Sequence, residues 1–179
     1  MNNASAMYQD DAQHNGDNHF HGDKSSLEIA VEAIIRKMQD DEPLIDFIDD
    51  LSDYISNHPT RPVIGLENKL LQGDRGDLVD VALFLKNKFA RKVAKSQMSI
   101  SEQYVYIQVL SAITTAWDQK IKPMISSGSN FEEIDSKIFD EIIEPVHRAL
   151  VRFDMSANMD LVRGMLYFMT GKCHVVWRG

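Results

Sequence analysis

Residues 78–93, LVDVALFLKNKFARKV, decide the fold class. Leu78, Val81, Ala82, Leu85, Phe89 and Val93 recur at steps of three and four. That spacing gathers them on one face of an α-helix, whereas a half-buried strand would alternate. Asp77, just before the run, is placed to cap it.

The same period extends in both directions. Upstream, Leu27, Ala30, Val31, Ile34, Ile35 and Met38 form one apolar stripe, and a second helix starts near Pro43 with Leu44, Phe47, Ile48, Leu51, Tyr54 and Ile55 inward. The stretch 57–62, NHPTRP, is a loop, followed by a short helix from Leu66 to Leu71 that Gly73 ends. Downstream, Ser99 and Glu102 have capping-box spacing ahead of a helix carrying Tyr106, Val109, Leu110, Ile113, Trp117 and Ile121, which Pro123 kinks or ends. A second capping box, Ser129 with Glu132, opens a helix with Ile134, Ile138, Ile142 and Val146, where Pro145 marks a kink or a new start. Ser156 caps the last helix, with Met159, Val162, Met165, Leu166 and Met169 inward, and Gly171 stops it. Only the end alternates, with Cys173, Val175 and Trp177 on one side and His174, Val176 and Arg178 on the other. That pattern suits a short strand or extended segment laid over the bundle.

The expected fold is therefore an all-α, single-domain bundle of about six helices with a short extended C-terminal segment. Residues 1–25, rich in Asn, Asp, Gly and His, read as a disordered polar tail, and 26–179 as a helical interaction domain.

With 179 residues, 44% of them hydrophobic, the chain supports one core. Its formal charge of −8 argues against nonspecific nucleic-acid binding by the whole molecule. Residues 1–60 hold 3 Lys/Arg and 13 Asp/Glu, a net of −10, and residues 61–179 hold 16 and 14, a net of +2. The single cysteine excludes an internal disulfide and suits a reducing compartment. The N-terminus has no basic flank followed by an apolar core, and no apolar run reaches about 18 residues. A cytoplasmic protein without a membrane segment is expected.

Chemistry is sparse. A zinc site needs about four Cys, His or carboxylate ligands. Cys173 and His174 are adjacent, and neighbours in extended chain point opposite ways, so they do not grip one ion together. Catalysis at Cys173 would need a base in reach, and nothing in the sequence brings His147 to it. The pair His19 and His21 offers at most weak metal capture from a solvated tail. No phosphate-cradling, nucleophile-elbow or H-E-x-x-H motif is present, so neither an enzyme nor a cofactor is expected. Two charged faces remain. Lys88, Arg91, Lys92 and Lys95 share one helix face, just after Lys86. Asp46, Asp49, Asp50 and Asp53 crowd the second helix. Both read first as solvated surface, with the option that they face each other within the fold, and second as docking patches. The basic face 86–95 would alternatively contact nucleic-acid backbone in a small DNA-binding regulator.

Three stretches, GLENKLLQGDRGDLVDVALFLKNKFARKVAK (65–95), IKPMISSGSNFEEID (121–135) and GMLYFMTGKCHVVW (164–177), carry a resemblance. Together the chain from about Ile34 to Trp177 resembles a C-terminal helical domain of the bacterial ABC-three-component conflict systems, the wider set to which Lamassu-type defence belongs. The resemblance implies a non-catalytic adaptor whose protein partners are an ATPase of the structural-maintenance-of-chromosomes (SMC) type and a nuclease or protease effector. In that family the domain often follows a nuclease or protease domain in one longer chain; here only the polar tail precedes it, a departure that suggests a separate small subunit and leaves self-association open. Gly164, Tyr167, Gly171, Cys173, His174 and Trp177 are then a fold signature. Gly171 would turn the chain, Cys173 and Trp177 would seal the core, and His174 would bond a backbone carbonyl or a partner.

Overall fold

The computed structural model describes residues 24–40, 48–95 and 98–178, with backbone alone for 48–50 and 95. Residues 1–23, with the tail reading and His14, His19 and His21, lie outside them. So do Pro43, Leu44, Asp46 and Phe47. The side chains of Asp49, Asp50 and Lys95 are likewise outside the description.

Among the described residues the chain forms seven helices and no strand. They are α1 (Ser26–Gln39), α2 (Ile48–Ile55), α3 (Leu66–Gln72), α4 (Val79–Lys95), α5, α6 and α7 (Met159–Gly171). α5 runs from Ile100–Ala116 through a π-helical turn, Trp117–Ile121, into Lys122–Ser127. α6 runs from Phe131–Ile138 through a second π turn, Phe139–Ile143, into Glu144–Phe153. The all-α bundle expected from the periodicity is therefore what the chain forms.

The two π turns explain what the prolines do. Pro123 and Pro145 neither end a helix nor leave it regular. A proline has no N–H for the carbonyl four residues back, and its ring collides with that carbonyl. In each helix the residue before the proline reaches one residue further: Lys122 N–H donates to Trp117 O, and Glu144 N–H to Phe139 O. The extra residue in the turn makes room for the ring while the helix continues.

Two of the expected caps are shifted by one or two residues, and a third residue takes another role. Asn130, not Ser129, caps α6 by accepting from Glu133 N–H. Asn158, not Ser156, caps α7 by accepting from Leu161 N–H, while Ser156 bonds Asp154. Asp77 lies in a 3-10 turn, Gly76–Leu78, and pairs with Arg75. The Ser99–Glu102 box is present as expected. A further box lies at Ser25–Glu28, so Ser25 belongs to α1 and not to a tail.

α5 runs through the middle, with Val105, Val109, Leu110, Ile113 and Ile121 fully buried. α1 and α2 lie against it, and α1 also meets the second half of α6. There Arg148 and Arg152 of α6 hold the buried carboxylate of Glu28, at 3.4 and 2.8 Å. Among the described residues the most extensive helix packing is α4 against α7. Phe89 stacks edge-on against Phe168 at 5.2 Å. Gly164 faces the α4 backbone, where an added Cβ would lie 2.8 Å from the Leu85 carbonyl oxygen. That carbonyl is fixed in a helix and does not yield as a flexible side chain does. Gly164→Ala is expected to destabilise the domain by about 1–3 kcal/mol, the range for overpacking a core. A lowered denaturant midpoint with an unchanged slope is the reading that checks it.

Candidate functional site

The signature residues converge on the end of α7 and the turn after it. α7 closes with a Schellman motif: Cys173 N–H donates to Thr170 O at 3.1 Å and His174 N–H to Met169 O at 3.0 Å. The residue that takes the left-handed conformation is Cys173, at φ +71, and not Gly171. This corrects the assignment of the turn to Gly171, and it also excludes a continuous extended run from 173. The alternation survives as burial alone: Cys173, Val175 and Trp177 are buried, His174 and Val176 half-buried, and Arg178 exposed.

The turn presents a row of carbonyls, and distant parts of the chain fasten them. Arg61 Nη1 donates to Cys173 O at 2.9 Å and His174 O at 2.8 Å. His58 N–H donates to Lys172 O at 2.8 Å, Lys69 Nζ to Thr170 O, and Trp117 Nε1 to Val176 O at 3.1 Å. Thr170 O and Lys172 O belong to the helix end, where carbonyls lack a partner within the helix, and the other three follow in the turn, so these donors meet a need the fold creates.

Trp177 sits at the centre. Its ring lies 4.7 Å from that of Trp117, its Nε1 donates to Thr170 Oγ1 at 3.0 Å, and the Arg75 guanidinium stands 5.5 Å over it. Gly73 lets the backbone approach, for a Cβ there would fall 2.8 Å from Trp177 Cβ. Arg75, 2% exposed, makes a bidentate pair with Asp135 at 2.7 and 2.9 Å. Burial works against its charge, but the carboxylates of Asp135 and Asp77 outweigh that and hold it more firmly protonated than a free guanidinium. Tyr167 is buried nearby, and burial pushes its phenol up.

Cys173 and His174 are committed to separate partners. Cys173 Sγ points at the Pro62 carbonyl, 3.4 Å away. His174 Nε2 lies 3.0 Å from the Ser56 carbonyl, so it donates there, as expected of a carbonyl partner. Burial pushes the His174 pKa down, and the cations Arg61 and Lys69 with the nearby His58 add to that against the Ser56 hydrogen bond. Among the described residues no group of three or more His, Cys, Asp or Glu is placed to hold a metal. No helix among them is long and apolar enough to cross a membrane.

The charged faces separate. Lys88 and Arg91 are exposed. Lys92 leans inward, 3.5 Å from Asp154 and over the Tyr106 ring at 5.9 Å. Burial opposes its charge, but Tyr106 and Asp154 raise its pKa. Asp53 is exposed on α2. One feature of the basic face was missed from sequence: Phe84, 63% exposed, stands at i, i+4 and i+7 with Lys88 and Arg91. Arg61, Lys69 and Arg75 were missed as well. For Lys69 a signal existed, since it lies on the Leu66–Leu70 face of α3, where a lysine has no reason to be unless it finds an acceptor.

Residues 65–177 match C-terminal domain 9 (CTD9) of the ABC-three component (ABC-3C) systems. The chain belongs to this family. The match begins at Gly65, so residues 34–64 of the resemblance fall outside it. Its last matched residue is Trp177, and the cluster around that ring is thus inside the CTD9 domain. Membership makes the chain part of a multi-component system and so implies protein partners. No curated protein and no solved structure matches the chain.

Trp177→Ala is expected to cost about 3–5 kcal/mol, most of the stability of a marginal domain, and to abolish the cooperative melt. Cys173→Ser keeps a donor for Pro62 O and is expected to leave fold and partner binding intact. Loss of function in Cys173→Ser with an unchanged melt would contradict this assignment. For His174 the lowered pKa sets the sign. As pH falls through the ordinary 6.5 toward the folded value, the unfolded chain takes up the proton first, so stability held above 6.5 is lost. His174→Gln is expected to flatten the stability profile between neutral and mildly acidic pH.

Proposed function

We propose that the chain is a non-enzymatic adaptor of a bacterial antiphage or antiplasmid defence system. It bridges an SMC-type ATPase and a nuclease or protease effector, and Lamassu-type systems are one form of such an assembly. Membership of the CTD9 family over residues 65–177 carries the reading. The commitments of Cys173 and His174 support the non-enzymatic part: the two side chains that most invite chemistry are tied to the carbonyls of Pro62 and Ser56. The exposed Phe84, Lys88 and Arg91 supply a surface with an aromatic anchor and two cations, a composition suited to a protein interface.

A second reading, a small DNA-binding regulator, draws on the same face, since a ring beside cations also suits nucleic acid. Affinity purification of the tagged chain from its native host separates the two. Recovery of an ATPase and a nuclease or protease encoded nearby supports the adaptor, and recovery of the chain alone overturns it. Lys88→Glu with Arg91→Glu is expected to lose those partners without lowering the melting temperature. Steep salt dependence of DNA binding, abolished by the same double substitution, would favour the regulator.

A further inference from the structure

A small cavity of about 220 Å³ lies between the 57–64 loop, α3 and the C-terminal turn. Pro62, Ile64, Val176 and Trp177 form apolar walls, and Arg61, Lys69 and Arg178 line it as well. Among the described residues no acidic one lines it. Lys69 is 5% exposed, and one of its three ammonium donors is used, on Thr170 O. Arg61 spends Nη1 on two carbonyls, while its Nε and Nη2 donate to no described residue.

The plainest account of these cations is that they cap α7. Magnitudes show that capping is not enough. A helix C-terminus presents about half an elementary negative charge. Buried Lys69 and half-buried Arg61 bring two positive charges against it, and Arg178 adds a third from the exposed rim, where water screens it. A buried charge without a counter-charge is costly, and elsewhere in this molecule the fold obeys that rule: buried Arg75 has Asp135, and buried Glu28 has Arg148 and Arg152. Among the described residues buried Lys69 has no such carboxylate, and half-buried Arg61 beside it has none either.

We infer that this cavity is an anion site that takes a carboxylate borne on an apolar body, as presented by an acidic, apolar segment of a protein partner. Its size favours that ligand, for it is smaller than the roughly 300–1,000 Å³ of pockets that enclose a cofactor or nucleotide. Its walls favour it too, since they suit a carbon chain beside the charge, while a nucleic-acid backbone calls for cations exposed along a track. In naming a protein as the source, the inference rests on the adaptor reading. The binding measurement does not, because it uses a small probe and no partner.

The full chain, isotope-labelled, is titrated with N-acetyl-leucinate, N-acetyl-leucinamide or inorganic phosphate while the backbone and indole signals of residues 61–69 and 173–178 are followed. Saturable shifts with the leucinate in the millimolar range, none with the amide, and weaker binding of phosphate are expected. Arg178→Glu, at an exposed position, is expected to keep the fold and weaken the leucinate at least about tenfold. Lys69→Met should do the same, and if it fails to fold, Arg178→Glu decides. Absence of saturation, equal binding of the amide, tighter binding of phosphate, or full affinity in Arg178→Glu would each overturn the assignment. If the leucinate binds but no partner co-purifies, the site stands and the adaptor reading falls.

Discussion

The structure depends on how α7 ends. Turning the chain through Cys173 in a left-handed conformation costs about 1–2 kcal/mol for a residue with a side chain. It also bares a row of carbonyls at a helix terminus. Both costs are met from outside the helix. Arg61 and the backbone of His58 come from the α2–α3 loop, Lys69 from α3 and Trp117 from the π turn of α5. One turn thus couples the 58–69 stretch, loop and helix together, to the middle of α5. Trp177 follows because the turn aims it into the slot that Gly73, Trp117 and Arg75 leave open.

That dependence gives the π turn in α5 a structural reason. Widening the helix at 117–121 admits Pro123, and Trp117, the first residue of the widened turn, is the residue that meets both Trp177 and Val176 O. The second π turn admits Pro145 in the same way. Proline in a helix interior ordinarily costs about 3 kcal/mol, and a local change of hydrogen-bond register avoids much of that loss.

Periodicity made the helix faces legible: Val31, Leu85, Phe89, Ile113, Val162 and Met165 are all buried as the spacing requires. Such faces follow from summed burial over many residues, so a single misread position does little harm. Caps were legible only approximately, because Ser129 and Asn130, or Ser156 and Asn158, differ in propensity by too little to choose between them. The turn at Cys173 was not legible at all. Gly171 is the better left-handed residue locally, and only contacts from Pro62 and Arg61, more than a hundred residues away, favour Cys173. The same holds for Arg75, whose partner Asp135 lies on another helix. The carbonyl bond of His174 was open to sequence reasoning as a type of contact, though not its partner, Ser56.

Burial and charge together distinguish the parts of the molecule that hold it together from those that face outward. Arg75 is charged, buried and paired with Asp135, so its electrostatic demands are met within the domain. Lys88 and Arg91 are charged and exposed, and water satisfies them at little cost. Lys69 fits neither description: it is as buried as a core residue, yet among the described residues only a carbonyl answers it. An internally unanswered charge beside the very turn that fastens the domain therefore points to an answer supplied by another molecule. It would also couple that molecule's arrival to the turn on which the fold depends.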